Sequence, residues 1–134
     1  MGILSGKRPS DLGVRSGNLK APPPSPNAVS SQAGDASHQI APLAYKSSPE
    51  NAMKALKAIV EGTANARIVE SKPDYLYAEY TSPLLGFVDD VEFYAPPNAR
   101  IIHVRSASRL GYSDLGVNRK RIEAIRAKLN QAGA

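Results

Sequence analysis

Acidic, basic, histidine and tyrosine side chains crowd the segment 87–121, where only short apolar pairs separate them. Residues two apart on a β-strand share one face, so Asp90 and Glu92 would lie together beside His103 on a neighbouring strand. Two carboxylates and an imidazole can hold a metal ion, and they can also act as general acid and base near neutral pH. One hypothesis is therefore a small hydrolase or isomerase that uses His103 with Asp90 or Glu92.

Signatures of a known catalytic or metal-binding mechanism are absent from the sequence. It contains neither a short metal-binding motif nor the G-x-S-x-G pattern that presents a serine nucleophile. Carboxylates opposite Arg105 would equally form ordinary ion pairs across two strands on a wet sheet face. We therefore favour a non-catalytic protein with no metal site and no cofactor.

The last quarter of the chain is basic, with eight lysines and arginines against two carboxylates between residues 100 and 134. Arg119, Lys120 and Arg121 begin the last predicted helix, where the helix dipole disfavours cations and favours a bound anion. The sequence therefore predicts a non-catalytic binding module for a small anionic ligand or an acidic protein partner. The predicted ligand-binding residues are Arg105, Arg109, Tyr112, Asn118, Arg119 and Arg121.

Asp89 is an anomaly, because alternation along its strand places its carboxylate on the apolar face of the sheet. A buried carboxylate is too costly to remain unpaired. Arg109, Arg119 or the backbone amides of the segment 110–117 would satisfy it, and Asp114 would neutralise the basic helix start. We predict that Asp89 and Asp114 form a structural clamp on this loop. In a purely structural alternative, these charged groups form one buried network that only fixes the loop.

The elements that position these residues follow from local patterns. Residues 1–47 combine proline, serine and glycine without periodicity, which predicts an extended arm packed on the body with a short strand near 39–45. A helix begins with Ser48 as N-cap and Pro49 at its first position, and it ends at Gly62. Four β-like segments follow, separated by turn residues, at 66–72, 74–82, 87–95 and 100–106.

A second helix would begin at Asn118 as its cap, with Ile122, Ile125 and Leu129 in one apolar stripe. The short connections between the β-like segments indicate antiparallel neighbours. We therefore predict an α+β domain at residues 48–134. It consists of an antiparallel meander sheet of four to five strands with two helices packed on one face, preceded by the extended N-terminal arm.

Alternation divides the side chains of this sheet between two faces. The helix-covered face would carry Leu76, Ala78, Tyr80, Phe87, Val91, Phe93, Ile102 and Val104, with Asp89 and Ser106 among them. The opposite, open face would carry Tyr75, Tyr77, Glu79, Asp90, Glu92, Tyr94, His103 and Arg105. Tyrosines on an open sheet can stack nucleic-acid bases, but the carboxylates beside them would repel phosphates, so we do not favour a nucleic-acid partner.

Composition narrows the class of protein further. The chain has 134 residues and no cysteine, which excludes disulfides, thiolate metal sites and a cysteine nucleophile. Its longest apolar runs fall far short of the roughly 18 residues of a membrane-spanning helix, and its first residues lack the apolar core of a secretory signal. These features predict a soluble cytoplasmic protein without a membrane span.

Longer motifs resemble those of a known family. The words NAVSSQA, FVDDVEFY and IHVRSASRLGYSDLGVNRKRIEAIR, with RPSDLGVRSGNL and HQIAPL upstream, are similar to a bacterial and plastid family, the domain of unknown function 1499 family. The resemblance covers nearly the whole chain and implies no established activity, cofactor or catalytic residue. Many relatives carry two cysteines in the arm, where this chain has Pro22 and Ala28. Because such a pair suits a disulfide in an oxidising compartment, its absence agrees with a cytoplasmic location.

Overall fold

A computed structural model of the protein describes residues 5–111 and 113–134. In these residues the chain forms six antiparallel strands and two helices. The strands are β1 Ala28–Ser30, β2 Leu43–Ala44, β3 Ala66–Lys72, β4 Tyr75–Thr81, β5 Val88–Tyr94 and β6 Ile101–Ser108, and the helices are α1 Pro49–Glu61 and α2 Val117–Gln131. The predicted α+β class is confirmed, and the sheet is larger than predicted.

Strands β3 to β6 form the predicted meander, and the two short strands both pair with β6. β1 pairs with one end of β6, where Val29 lies opposite Ser106, and β2 pairs with the other end, where Leu43 lies opposite Ile102. Three residues are too few to leave a periodic pattern in the sequence, and β1 lies in the proline-rich arm. This explains why β1 was not predicted.

The structure confirms the helix predicted after Ser48, together with its cap and its first-turn proline. The Ser48 side chain accepts a hydrogen bond from the Asn51 amide, Pro49 occupies the first turn, and the helix stops before Gly62. Its buried residues, Ala52, Met53, Leu56 and Val60, pack on the sheet. The helix thus forms because its cap, its proline and its apolar stripe agree with one another.

Helix α2 begins two residues earlier than predicted, and the prediction that Asn118 caps it is wrong. Gly116 occupies the cap position with a φ of 80°, a left-handed conformation that glycine adopts without strain. The Asp114 side chain instead accepts hydrogen bonds from the backbone amides of Gly116 and Asn118, at 2.9 and 3.0 Å. Asn118 is fully buried, and its side chain forms hydrogen bonds with Ser106, Asp114 and Arg121.

The strand register confirms the predicted division of the sheet into two faces. Tyr77 lies opposite Glu92, Glu92 lies opposite Arg105, and Asp89 lies between Tyr80 and Ser108. The two helices cover one face, which we call the helix face. Its apolar side chains join those of the helices in one core, including Leu76, Val91, Phe93, Ile102, Val104, Ile122 and Leu129.

The opposite face of the sheet is not open to solvent, and this part of the prediction is wrong. Residues 5–27, which we call the strap, run across it, so we call it the strap face. Leu12, Val14 and Leu19 of the strap pack against an apolar cluster of the sheet that contains Tyr75, Tyr77 and Tyr94. A segment without periodicity does not reveal in its sequence which surface it covers.

Gly6 shows how closely the strap approaches the end of β6. It has a φ of 72°, and a Cβ atom at this position would lie 3.0 Å from the Cβ of Arg109. Only glycine combines this backbone conformation with so close a contact. The strap therefore packs closely against the sheet at this point.

Within the described residues, none of the helices has the length and apolar composition needed to cross a membrane.

Candidate functional site

Arg109 is the centre of an ion cluster on the strap face. It follows β6 directly, and its guanidinium binds both oxygens of Asp90, with Nε to Oδ2 at 2.9 Å and Nη2 to Oδ1 at 2.8 Å. The same Nη2 donates to Glu79, which also accepts from Arg8 of the strap at 2.7 Å. The hydrogen bond from Arg8, together with that from Arg109, lowers the pKa of Glu79.

Tyr77 closes this cluster, because its hydroxyl donates to Asp90 Oδ1 at 2.5 Å. Burial, together with the bond to Asp90, raises the pKa of Tyr77, so the phenol stays protonated and remains a donor. The side chains of Asp90 and Arg109 are 2% and 4% exposed. The predicted catalytic carboxylate Asp90 is therefore fully engaged in a buried structural contact.

Glu92 lies deeper, at 0% exposure, in the middle of the strap face. Its Oε2 accepts from the Tyr75 hydroxyl at 2.5 Å and from the backbone amide of Gly13 at 2.7 Å. Its Oε1 has no hydrogen-bond partner within the described part of the chain. Burial raises the pKa of this carboxyl group, which shows that its surroundings compensate its charge poorly.

Arg105 is the cation opposite Glu92, and its charge is also poorly compensated. Its Nη1 lies 4.0 Å from Glu92 Oε1, beyond hydrogen-bond length, and the residue is 4% exposed. Its other contacts are backbone carbonyls of the strap, Lys20 at 2.9 Å and Ala21 at 3.4 Å. Burial lowers the pKa of Arg105, because two carbonyl oxygens and a distant carboxylate replace its water incompletely.

A pocket of about 360 Å³ opens between the strap and strands β5 and β6, and we call it the strap pocket. Four cations line it, Lys7 and Lys20 from the strap with Arg105 and Arg109 from the sheet, against the single carboxylate Asp90. Its remaining lining is small or apolar, from Pro9, Ala21, Pro22, Pro23, Ala107 and Ser108. Pro22 thus forms part of its wall.

The described hydrogen bond of His103 is to Ser31 and not to Asp90 or Glu92. Its Nδ1 lies 3.0 Å from the hydroxyl of Ser31, and the strand register places it opposite Tyr94. Burial lowers the pKa of His103, so the imidazole is neutral at pH 7. In residues 5–111 and 113–134, no group of three or more histidines and carboxylates is arranged to hold a metal ion.

Asp89 forms an ion pair with Arg121 on the helix face. Its carboxylate accepts from Arg121 Nη2 at 2.8 Å, so neither Arg109 nor Arg119, which we predicted, is its ion-pair partner. Arg109 is excluded because it lies on the strap face. Arg121 also donates to Ser106 and stacks on the ring of Tyr80, 4.7 Å from its centroid.

Asn118 joins this pair to the loop that precedes α2. Its Oδ1 accepts from Arg121 at 2.8 Å and from the Ser106 hydroxyl at 2.6 Å. Its amide group donates to Asp114 Oδ2 at 2.8 Å and to the Asn27 carbonyl at 3.2 Å. Burial opposes ionisation of Asp114, but hydrogen bonds from Asn118 and from the backbone lower its pKa, so it stays ionised at neutral pH.

The remaining predicted ligand residues lie apart. Arg119 donates to the backbone carbonyls of Gln39 and Ser37, at 2.9 and 3.4 Å, and so anchors the segment between β1 and β2. Tyr112 lies outside the described residues. The five described residues of the predicted set therefore do not form one cradle, because Arg105 and Arg109 line the strap pocket while Asn118 and Arg121 lie on the opposite face.

A second concave site, which the sequence did not indicate, lies beside the Asp89 pair. The loop 82–87 after β4 and the described residues 109–111 and 113–116 after β6 enclose a cleft of about 540 Å³, which we call the loop cleft. Its walls are mostly apolar, from Pro83, Leu85, Phe87, Val88, Leu110, Leu115 and Val117. The two leucines in the turn SPLLG were the available signal, since a turn does not need exposed apolar side chains.

His38 is a further residue that the sequence did not single out. It is 6% exposed, its Nδ1 lies 2.6 Å from Asp35 Oδ2, and its Nε2 lies 2.7 Å from the Ser25 carbonyl. A carbonyl and a carboxylate are both acceptors, so the geometry favours an imidazolium with both nitrogens protonated. The bond to the Ser25 carbonyl, with that to Asp35, raises the pKa of His38.

A sheet with two helices on one face and a basic strap pocket on the other defines a small α+β protein that its own N-terminal strap completes. The chain belongs to the family described as protein of unknown function (DUF1499), whose model matches residues 18–129. The resemblance found in the sequence motifs is thereby confirmed. No curated protein matches the chain.

Proposed function

We propose that the protein is a non-catalytic binding module whose strap pocket takes a small anionic ligand. The observation that carries this proposal is Arg105, a buried guanidinium whose described contacts are two carbonyls and a carboxylate 4.0 Å away. A buried charge with so little compensation gains from an added anion. Because Arg105 lines an open pocket, a ligand can supply that anion.

The other charges of the pocket support the same ligand. Lys7 and Lys20 bring two ammonium groups to its rim, where Lys20 is also paired with Asp11 at 2.9 Å, and Arg109 adds a third cation in its wall. Asp90 opposes them, but its two oxygens already accept from Arg109 and Tyr77. The field inside the pocket therefore favours an anion, and a cavity of about 360 Å³ suits one the size of a phosphate or a small polycarboxylate.

An acidic protein partner receives less support than a small ligand. Arg105 and Arg109 line a pocket between the strap and the sheet, and their side chains are only 4% exposed, which suits a small ligand better than a protein surface. Arg119 and Arg121 are engaged by carbonyl, hydroxyl and carboxylate acceptors of the chain itself. The geometry therefore favours small anions over acidic surfaces.

The alternative of a hydrolase or isomerase also receives less support. It requires His103 to act with Asp90 or Glu92, but the hydroxyl of Ser31 is the described partner of His103. Asp90 is bound to Arg109, and Glu92 is buried under the strap. A general base needs an oxygen free to take a proton, but both oxygens of Asp90 already accept from Arg109 or Tyr77, and Glu92 is fully buried.

Isothermal titration calorimetry with inorganic pyrophosphate tests the proposal. We expect pyrophosphate to bind the native protein, and the double variant Lys7→Ala with Lys20→Ala to weaken binding about tenfold or more, since each lysine contributes a charge-assisted contact. Both lysines lie at the rim of the pocket, so the variant should have the same melting temperature as the native protein.

The matched control removes the same charge from elsewhere, by Lys54→Ala with Lys57→Ala on the exposed side of α1. This variant should bind pyrophosphate as the native protein does. Absence of binding to the native protein would overturn the proposal, and so would equal weakening in the two double variants, because that result would show only a general attraction to a basic protein.

A further inference from the structure

We propose that the loop cleft is a second binding site, for an uncharged and mainly apolar small molecule that carries a hydroxyl or amide group. The cleft contains the Asp89–Arg121 pair of the helix face, whereas the strap pocket contains Asp90 and Arg109 of the strap face, and Ser108 lines both. The inference therefore does not depend on the anionic ligand proposed above.

Exposed apolar side chains identify the cleft as more than a gap between two loops. Leu85 is 57% exposed, Leu110 40%, Leu115 85% and Val117 46%, and all four line its walls. A small protein gains nothing in stability by placing four such side chains around one concavity. An exposed and contiguous apolar surface of this kind is typical of a ligand site.

Hydrogen bonds hold described residues of both loops that form the cleft. Ser82 closes one loop, because its carbonyl accepts from the Gly86 amide at 3.1 Å and its hydroxyl from the Phe87 amide at 2.9 Å. The other loop is held by Asp114 at the start of α2 and by Asn27, whose side chain donates to the Gly111 carbonyl at 2.8 Å. A preformed cleft loses little entropy when it binds.

The polar floor of the cleft determines the charge of the ligand. Asp89 and Arg121 form an ion pair there, with side chains 10% and 13% exposed, so both an acceptor and a donor are reachable from the cleft. A hydroxyl or amide group complements such a pair without breaking it. Asp114 adds a second negative charge to the lining, so a carboxylate or phosphate ligand would be repelled.

The size of the cleft sets the size of the ligand. A volume of about 540 Å³ falls in the range of sites for small molecules and is too small to receive a helix of a partner protein. The ligand therefore contacts the cleft with an apolar body of one or two rings, or with a short aliphatic chain, and points its polar group at Asp89 and Arg121.

Fluorescence titration with N-phenyl-1-naphthylamine tests this inference, because the probe is uncharged, apolar and carries one N–H donor. We expect its emission to rise on binding. Leu85→Asp should weaken that binding about tenfold or more, since a carboxylate in the wall makes an apolar contact unfavourable.

Leu84→Asp is the matched control. Leu84 is the neighbouring residue in the same loop, is 92% exposed and does not line the cleft, so this variant should keep the native affinity. The sulfonated analogue of the probe, 1-anilinonaphthalene-8-sulfonate, should bind the cleft more weakly than the uncharged probe. Saturating pyrophosphate should leave the affinity for the uncharged probe unchanged, because the strap pocket lies on the other face.

Three results would overturn the inference. The native protein could leave the emission of the uncharged probe unchanged. Equal losses in Leu84→Asp and Leu85→Asp would show that the exposed loop, not the cleft, attracts apolar molecules, as a docking surface for a protein or a lipid layer does. Displacement of the probe by pyrophosphate would place it in the strap pocket.

Discussion

Two neighbouring carboxylates, Asp89 and Asp90, point to opposite faces of the sheet, and each is bound by a different arginine, one from the covering helix α2 and one from the end of β6. Asp89 binds Arg121 of helix α2, and Asp90 binds Arg109, beneath the strap. On the helix face the ion pair sits at the edge of a large apolar core, whereas on the strap face charged groups replace much of that core. A cover with little apolar surface is held by polar contacts, and these depend on complete pairing.

Removal of Arg109 should give the largest loss of stability on either face of the sheet. Arg109→Met would leave Asp90 and Glu79 without their guanidinium, while Met keeps the length of the side chain. We expect the free energy of unfolding to fall by about 3–5 kcal/mol, the cost of an uncompensated buried charge. Urea denaturation measures it. A loss below about 1 kcal/mol would show that water or strap residues replace the arginine.

The equivalent change on the helix face should cost less. Arg121→Met leaves one carboxylate, Asp89, which is 10% exposed and can recruit water, so we expect a loss of about 2–3 kcal/mol. Arg119→Met is the control, because Arg119 contacts only backbone carbonyls at the surface, and its loss should be below about 1 kcal/mol. A larger effect for Arg121 than for Arg109 would reverse the comparison.

The smallest expected effect is a dependence on pH that distinguishes the strap side of the sheet from the helix side. Since the folded pKa of His38 is raised above its usual value near 6.5, its stabilising contribution is complete below that value and is lost as pH rises through the folded pKa. The bond to the Ser25 carbonyl should then weaken, and the strap side should loosen before the helix side.

Hydrogen exchange of backbone amides at several pH values checks this prediction. The Ser30 amide, which donates to the His38 carbonyl, should lose protection as pH rises through the raised pKa of His38, after correction for the intrinsic exchange rate, while amides of α1 should not. His38→Gln should remove the difference, because glutamine does not titrate. An unchanged pH dependence in this variant would assign the effect to another group.

Much of the sheet could be predicted from the sequence, because alternation is a local property. The period of two placed Asp89 among apolar side chains and Asp90 on the other face, and the structure agrees for both. The partner of Asp89 could also have been identified. Arg121 lies three residues after Asn118 and four before Ile125, both buried, and this spacing places it on the inner stripe of α2.

The covering of the strap face could not be predicted in the same way. Contacts such as that between Arg8 and Glu79, or between Gly13 and Glu92, join residues more than 70 positions apart in segments without periodicity. The loop cleft is not a local property either, because its shape arises where two loops meet. The sequence therefore indicated which residues carry charge, but not that the strap would bury them.

The outer edge of β6 has a consequence for the behaviour of the protein in solution. β1, β2 and the Ser31 side chain between them occupy the hydrogen-bonding groups of this edge. Exposed strand edges recruit other strands, and both covering strands belong to the segment before α1. Detachment of that segment would open a template for strand exchange between two copies, so its attachment also protects the protein against aggregation.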